Sequence, residues 1–337
     1  MWAYISATIA WHMNHRFSAV LILFGAVIVG YFGLQRTPAH TTQDDSMRWA
    51  GRIDRVGSPD AYKEFVREYT PTPFTTQHTA AHLMGILLYQ KMGISGVAVC
   101  DASFAFGCYH GFFGRVIADK GVAVVPDLAE NCRKQFGAQS TGCEHGIGHG
   151  IMEYTGRAKL MEGLELCKDT KQVNELYGCT SGLFMEYNSA MKFRDGVAYT
   201  DERLLDMKNP LAPCDSVPTP YRTSCYFEIG LWWKGQLGTD YEKIGNLCTK
   251  AGTQPERDAC YRGWGTVVAE SVDHDSAEAK KVCGLIHASF GTDTCLLGVA
   301  SRFFPAGYPQ AGQEICTALS GSLARECLSL APQNAAL

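Results

Sequence analysis

Five of the chain's ten histidines fall within residues 78–149, and their spacing could support chemistry. His78 and His82 stand four residues apart, as do His145 and His149, so on a helix each pair shares one face. His110 and His145 each follow a cysteine by two residues, in the stretches CYHGFFG from Cys108 and CEHGIGHG from Cys143. Neutral imidazoles are common transition-metal ligands, and a pair at i and i+4 can hold one ion from one helix face. Glu153, four residues after His149, and Glu186 offer a carboxylate as a further ligand or general base. Nitrogen with carboxylate suits a divalent transition metal: zinc, iron or copper. An open position on such an ion would activate water or bind oxygen. The competing reading makes the histidines packing residues that hydrogen-bond neighbouring helices.

Other motifs carry less. H-E-x-x-H, the phosphate loop G-x-x-x-x-G-K and the haem motif C-x-x-C-H are all absent. Trp232-Trp233-Lys234 and Arg262-Gly263-Trp264 could line a binding surface, although large aromatics at helical spacing more often fill a core. Asp273-His274-Asp275 reads as a solvated turn. Ser181 stands in its unit where His110 and His145 stand in theirs, but no base partner for it is evident in the sequence.

The cysteines indicate what positions these side chains. They fall at 100, 108, 132, 143, 167, 179, 214, 225, 248, 260, 283, 295, 316 and 327. Taken as consecutive pairs, their separations are 8, 11, 12, 11, 12, 12 and 11, and the second members recur every 35, 36, 46, 35, 35 and 32 residues. A fixed period near 35 marks a repeat array. The long interval holds an insertion around Arg194 to Pro213. Five of the first six second cysteines are followed three residues on by glycine, and Glu228 replaces it once. Glycine in a helix interior costs about 1 kcal/mol relative to alanine, so its recurrence points to a close helix contact.

Each unit therefore reads as an apolar helix opened by the second cysteine, a turn, and a more polar helix ending near the next first cysteine. Regular spacing favours disulfides between neighbours, and no C-x-x-C suggests zinc instead. A bridge over a loop of this size contributes on the order of 2–3 kcal/mol by chain entropy. In period, helix pairing and stapling the chain resembles disulfide-stapled αα-repeat proteins of the Sel1-like kind. No motif match accompanies that likeness, and it implies nothing about function.

Ahead of the repeats, residues 17–34 form an uncharged run, FSAVLILFGAVIVGYFGL, near the lower limit for a membrane-spanning helix. It is longer than the apolar core of a cleaved signal peptide and lacks a small-residue cleavage site. The expected order is a short segment 1–16, a transmembrane anchor 17–34 and a polar stalk 35–57. Helices carrying the first histidine pair follow over 58–99, and the cysteine-paired repeats occupy 100–337. Ser58-Pro59-Asp60 is a helix start, Thr70-Pro71-Thr72-Pro73 a break, and a second helix runs from about Thr75 to Met92 and stops at Gly93.

Arginines flank the apolar run on both sides, so the positive-inside rule does not support export. Fourteen cysteines do, because disulfides persist in oxidising compartments. A net charge of −4 excludes a general basic footprint for nucleic acid. With 46% apolar and 19% charged residues the chain is not an acidic disordered one either.

The expected fold is mainly α: an array, open or closed into a ring, of about seven disulfide-stapled αα repeats behind one N-terminal transmembrane helix. The expected protein is single-pass, with its C-terminal region extracytoplasmic (periplasmic, lumenal or extracellular). Its metal site would be His78, His82, His110, His145 and His149. Metal-dependent hydrolysis or oxidation would be its chemistry, with Glu153 and Glu186 as catalytic carboxylates. The alternative is a stapled helical scaffold for protein–protein interaction with structural histidines.

Overall fold

A computed structural model describes residues 42–170, 176–189, 191–194, 197–200 and 203–331. The expected anchor at 17–34 and the segment 1–16 lie outside the described residues. Among the described helices, none is long and apolar enough to cross a membrane. The chain divides into two compact units, residues 1–48 and 49–337.

Helix α1, Thr42–Val56, begins in the first unit, where Asp45 pairs with Arg48 at 3.1 Å. Residues 42–56 of the expected stalk are thus helical. In the second unit Trp49 and Ile53, four apart on one face of α1, are buried, and Trp49 packs edge-on against Phe65 at 5.3 Å between ring centroids. Helix α2, Ser58–Tyr69, starts behind Gly57 with Pro59 in its first turn. Its Ala61, Tyr62, Phe65 and Tyr69 form the buried stripe. Helix α3, Phe74–Met92, follows the proline break and stops at Gly93.

The cysteine-bearing region continues with α4 (Gly107–Lys120), α5 (Val125–Phe136), α6 (Thr141–Thr155), α7 (Leu160–Cys167) and α8 (Cys179–Asn188). An antiparallel hairpin, β1 (Met191–Arg194) with β2 (Val197–Thr200), leads into the expected insertion, its first strand ending at Arg194. Then come α9 (Thr219–Leu237), α10 (Tyr241–Leu247), α11 (Gln254–Ser271), α12 (Ser276–Cys283), α13 (Ser289–Phe303), α14 (Pro309–Cys316) and α15 (Gly321–Ser329).

All fourteen cysteines are paired, each with its neighbour, giving seven disulfides with Cα–Cα distances of 5.3–5.8 Å. A bridge such as Cys167–Cys179 ties the end of a short, partly exposed helix to the start of the next, largely buried one.

The apolar helices α3, α4, α6, α8, α9, α11 and α13 pack in succession, each on the next. At α6 and α8, a Cβ on Gly182 would lie 1.9 Å from the His145 carbonyl oxygen, and one on Gly148 would lie 2.0 Å from the Cys179 carbonyl oxygen. Two glycines facing opposite backbones bring these helices into contact without side chains between them. The interface of α11 and α13 repeats the device with Gly298 against the Arg262 carbonyl and Gly265 against the Cys295 carbonyl, both at 2.0 Å. This is the close contact that the recurring glycine predicts. The row turns back on its start: Phe74, which opens α3, lies 6.4 Å from His274 in the turn after α11. Trp233 and Trp264 are fully buried and belong to the core.

Candidate metal centre

Helix α3 supplies His78 and His82, α4 supplies His110, and α6 supplies His145 and His149. Because α3, α4 and α6 are successive members of the row, their equivalent faces meet. A Cβ on Gly111, next to His110, would come within 1.9 Å of the His82 carbonyl oxygen, so only glycine permits this spacing. The result is one continuous imidazole cluster. His110 stacks on His149 at 3.9 Å between centroids and lies 5.1 Å from His78 and 5.3 Å from His82. Ligand nitrogens fall into two groups, His78 with His82 and His110, and His110 with His145 and His149. Within each group they lie within 4.8 Å of one another.

The hydrogen bonds fix the protons. His78 Nδ1 is 2.8 Å from the Phe104 carbonyl oxygen, which can only accept, so Nδ1 donates and Nε2 carries the lone pair. His149 Nδ1 is 3.1 Å from the Glu186 carboxylate and donates in the same way. Their Nε2 atoms then face those of their partners, His78 to His82 at 3.1 Å and His149 to His145 at 3.2 Å. His145 turns its proton away, toward the Tyr177 backbone; in the first pair, therefore, His82 donates a proton to the waiting lone pair of His78. A cation can take the place of that proton. Two nitrogens on a tetrahedral ion at 2.0–2.1 Å stand about 3.3 Å apart, close to both observed edges.

His110 differs from the other four. It is 5% exposed, and neither of its ring nitrogens has a hydrogen-bond partner among the described residues. Leaving a buried polar group unpaired costs about 1–3 kcal/mol. Burial, and then the neighbouring imidazoles, hold the His82 and His110 pKa well below the usual histidine value. Burial does the same to His145, with help from His149 and the Arg302 charge, and it lowers His78 against the opposing pull of its Phe104 hydrogen bond. These four rings are thereby held neutral, the form that binds metal.

The two carboxylates separate in role. Glu186, on α8, bonds the back of His149 and takes part in neither ligand group. That is the place of a carboxylate that orients a ligating imidazole. Glu153 is exposed one turn beyond His149, with its carboxylate over Gly114, and also belongs to neither group.

Ser181 does acquire a partner. Its hydroxyl donates to Glu228 of α9, and both side chains are buried. Burial pushes the Glu228 carboxyl up to about 8, against the Ser181 hydrogen bond that lowers it. At neutral pH the carboxyl keeps its proton and is no standing base for a nucleophile. The sequence carried a signal for this residue, since Glu228 is the one departure from the glycine rule. The turn at 273–275 is only partly as expected. Asp275 caps α12 by accepting from the Ala277 and Glu278 backbone, but His274 is buried rather than solvated. A left-handed backbone at φ 63° turns it inward, where it stacks on Tyr308 at 4.2 Å.

Compared with protein-family models, with curated proteins and with solved structures, the chain finds no match.

Proposed function

We propose that this chain is an extracytoplasmic metalloprotein whose histidine cluster carries a transition-metal ion on His110, His145 and His149. The observation that carries this reading is His110, a buried imidazole with two unpartnered nitrogens amid four other converging rings. A packing histidine such as His274 also leaves both ring nitrogens unpartnered among the described residues, but it stacks on Tyr308 and belongs to no group of ligand nitrogens there, so it is the convergence of the five rings that sets His110 apart. Three imidazoles leave one position of a tetrahedral ion open, and an ion of this kind lowers the pKa of bound water to about 7. Glu186 would hold the His149 ring and raise its basicity from behind. Hydrolysis fits zinc in such a site, and oxidation fits copper or iron.

The setting belongs to the same proposal. About seven stapled αα units of ~35 residues form the array. The uncharged run at 17–34 would anchor it, and seven disulfides suit an oxidising compartment. The test is elemental analysis of the full chain, made in an oxidising compartment without a histidine tag. About one equivalent or more of zinc, copper or iron is expected, lost when His145→Ala and His149→Ala are combined. No metal as purified, and no Zn2+ taken up on titration, would leave the interaction scaffold as the better reading.

A further inference from the structure

Five imidazoles are more than one tetrahedral ion needs. The two ligand groups have one member in common, His110, and an imidazole ring has one nitrogen for each. We propose that the cluster is a two-ion centre in which His110 links an ion on His78 and His82 to an ion on His145 and His149. This deepens the metal reading above and rests on it.

Three independent features meet in this arrangement. Each outer pair is built as a two-nitrogen clamp, with Nε2 edges of 3.1 and 3.2 Å. In each clamp one ring is locked from behind, His78 by the Phe104 carbonyl and His149 by the Glu186 carboxylate, so its lone pair points into the cluster. Between the clamps lies the ring whose two nitrogens are both buried and both unpartnered. A single ion would satisfy one of those nitrogens and leave the other stranded. A neutral His110 carries one N–H. Binding the second ion replaces that hydrogen with a metal–nitrogen bond and releases one proton to solvent, so the bridge is an imidazolate. The ions also bond the outer clamp nitrogens, and the proton that His82 Nε2 holds toward His78 passes through solvent to the far nitrogen of its own ring, which leaves Nε2 free to ligate. At metal–nitrogen distances of 2.0–2.1 Å, ions on opposite nitrogens of one ring stand roughly 6 Å apart. That exceeds the ~3.5–4 Å of metal pairs that clamp one displacement between them. The pair is suited to one ion that reacts and a second that tunes it through the ring.

The full chain, stripped with chelator and titrated with Cu2+, separates the possibilities. Two equivalents are expected, with the paramagnetic resonance signal weakened because the bridge couples the two spins. Combining His78→Ala with His82→Ala should leave one equivalent and restore an isolated Cu2+ signal. His110→Ala should abolish the coupling. The half-buried His78 and His82 keep the test usable if the His110 variant does not fold. One equivalent in the parent, unchanged by His78→Ala with His82→Ala, would overturn the second ion and leave the site on His110, His145 and His149 standing. Two equivalents with uncoupled signals would overturn the bridge. No binding would overturn both this proposal and the metal reading beneath it.

Discussion

Two residues after its second cysteine, α4 carries His110 and α6 carries His145; at the same place α9, α11 and α13 carry Phe227, Arg262 and Leu297. Further along the same helices the contrast continues. Seven residues after the cysteine stands Glu186 in α8 but Arg302 in α13, and ten residues after it stand Glu153 in α6 and Glu270 in α11. In the later half Arg302 closes an ion pair with Glu270 across the α11–α13 interface. In the earlier half Glu186 bonds an imidazole instead. The backbone contacts beneath are alike, glycine against carbonyl in both halves. One packing rule therefore serves two chemistries: backbone approach sets the helix spacing, and the residues flanking the glycines are free to specialise.

The comparison breaks most readily at the glycines. Gly182→Ala in the earlier half and Gly298→Ala in the later would each drive a methyl to within 2.0 Å of a backbone oxygen that has no room to yield. Each is expected to cost about 3 kcal/mol or to prevent accumulation of folded protein, read by denaturant or thermal unfolding. If one half tolerates its alanine with little loss, the halves are not packed alike. A smaller effect sharpens the difference between them. Glu186→Gln should weaken Zn2+ binding about 10–100-fold while the fold persists. Glu242→Gln, which removes the exposed Glu242–His287 pair of the later half, should leave Zn2+ binding unchanged and shift stability by no more than about 0.5 kcal/mol. Equal Zn2+ affinity in parent and Glu186→Gln would mean that this carboxylate does not support the His149 ring.

Much of this architecture could be read from residue types and spacing. The cysteine period predicts the neighbour pairing, and the recurring glycine predicts close helix contact, because each repeats a local rule along the chain. The i, i+4 histidine pairs and the equivalence of His110 with His145 predict a common face for the same reason. What the sequence could not supply depends on neighbours distant along the chain. Glu186 reaches His149 across 37 residues, and the Phe104 carbonyl reaches His78 across 26. Such backbone and long-range partners leave no periodic trace. Trp49 and Ile53 show the converse limit: two apolar residues in a polar stretch look like noise until α2 supplies the surface they cover.

The seam between the halves, α8 against α9, lacks the glycine rule, and there the expected effect is a dependence of stability on pH rather than a loss at one pH. Glu228 stands in the glycine's place, bonded to Ser181 and close enough to Arg302 and Glu270 to feel both charges. In the folded protein its carboxyl keeps its proton until about pH 8. In the unfolded chain a glutamate releases its proton near pH ~4.3. Between these values the folded state binds more protons than the unfolded one, so stability falls as pH rises, by at most about 1.4 kcal/mol per pH unit. The contribution is complete below the lower value and lost above the upper one. The buried imidazoles tilt the other way, since burial disfavours their charged form and stability drops as pH falls below about 6.5. Subtracting the unfolding free energy of Glu228→Gln from that of the parent, across pH 5–8, removes the histidine contribution common to both. A difference that declines with pH places a neutral acid at the seam, held by burial where the other interfaces need no side chain. A flat difference would mean that Glu228 is ionised in the fold, and that Arg302 joins the two halves by charge.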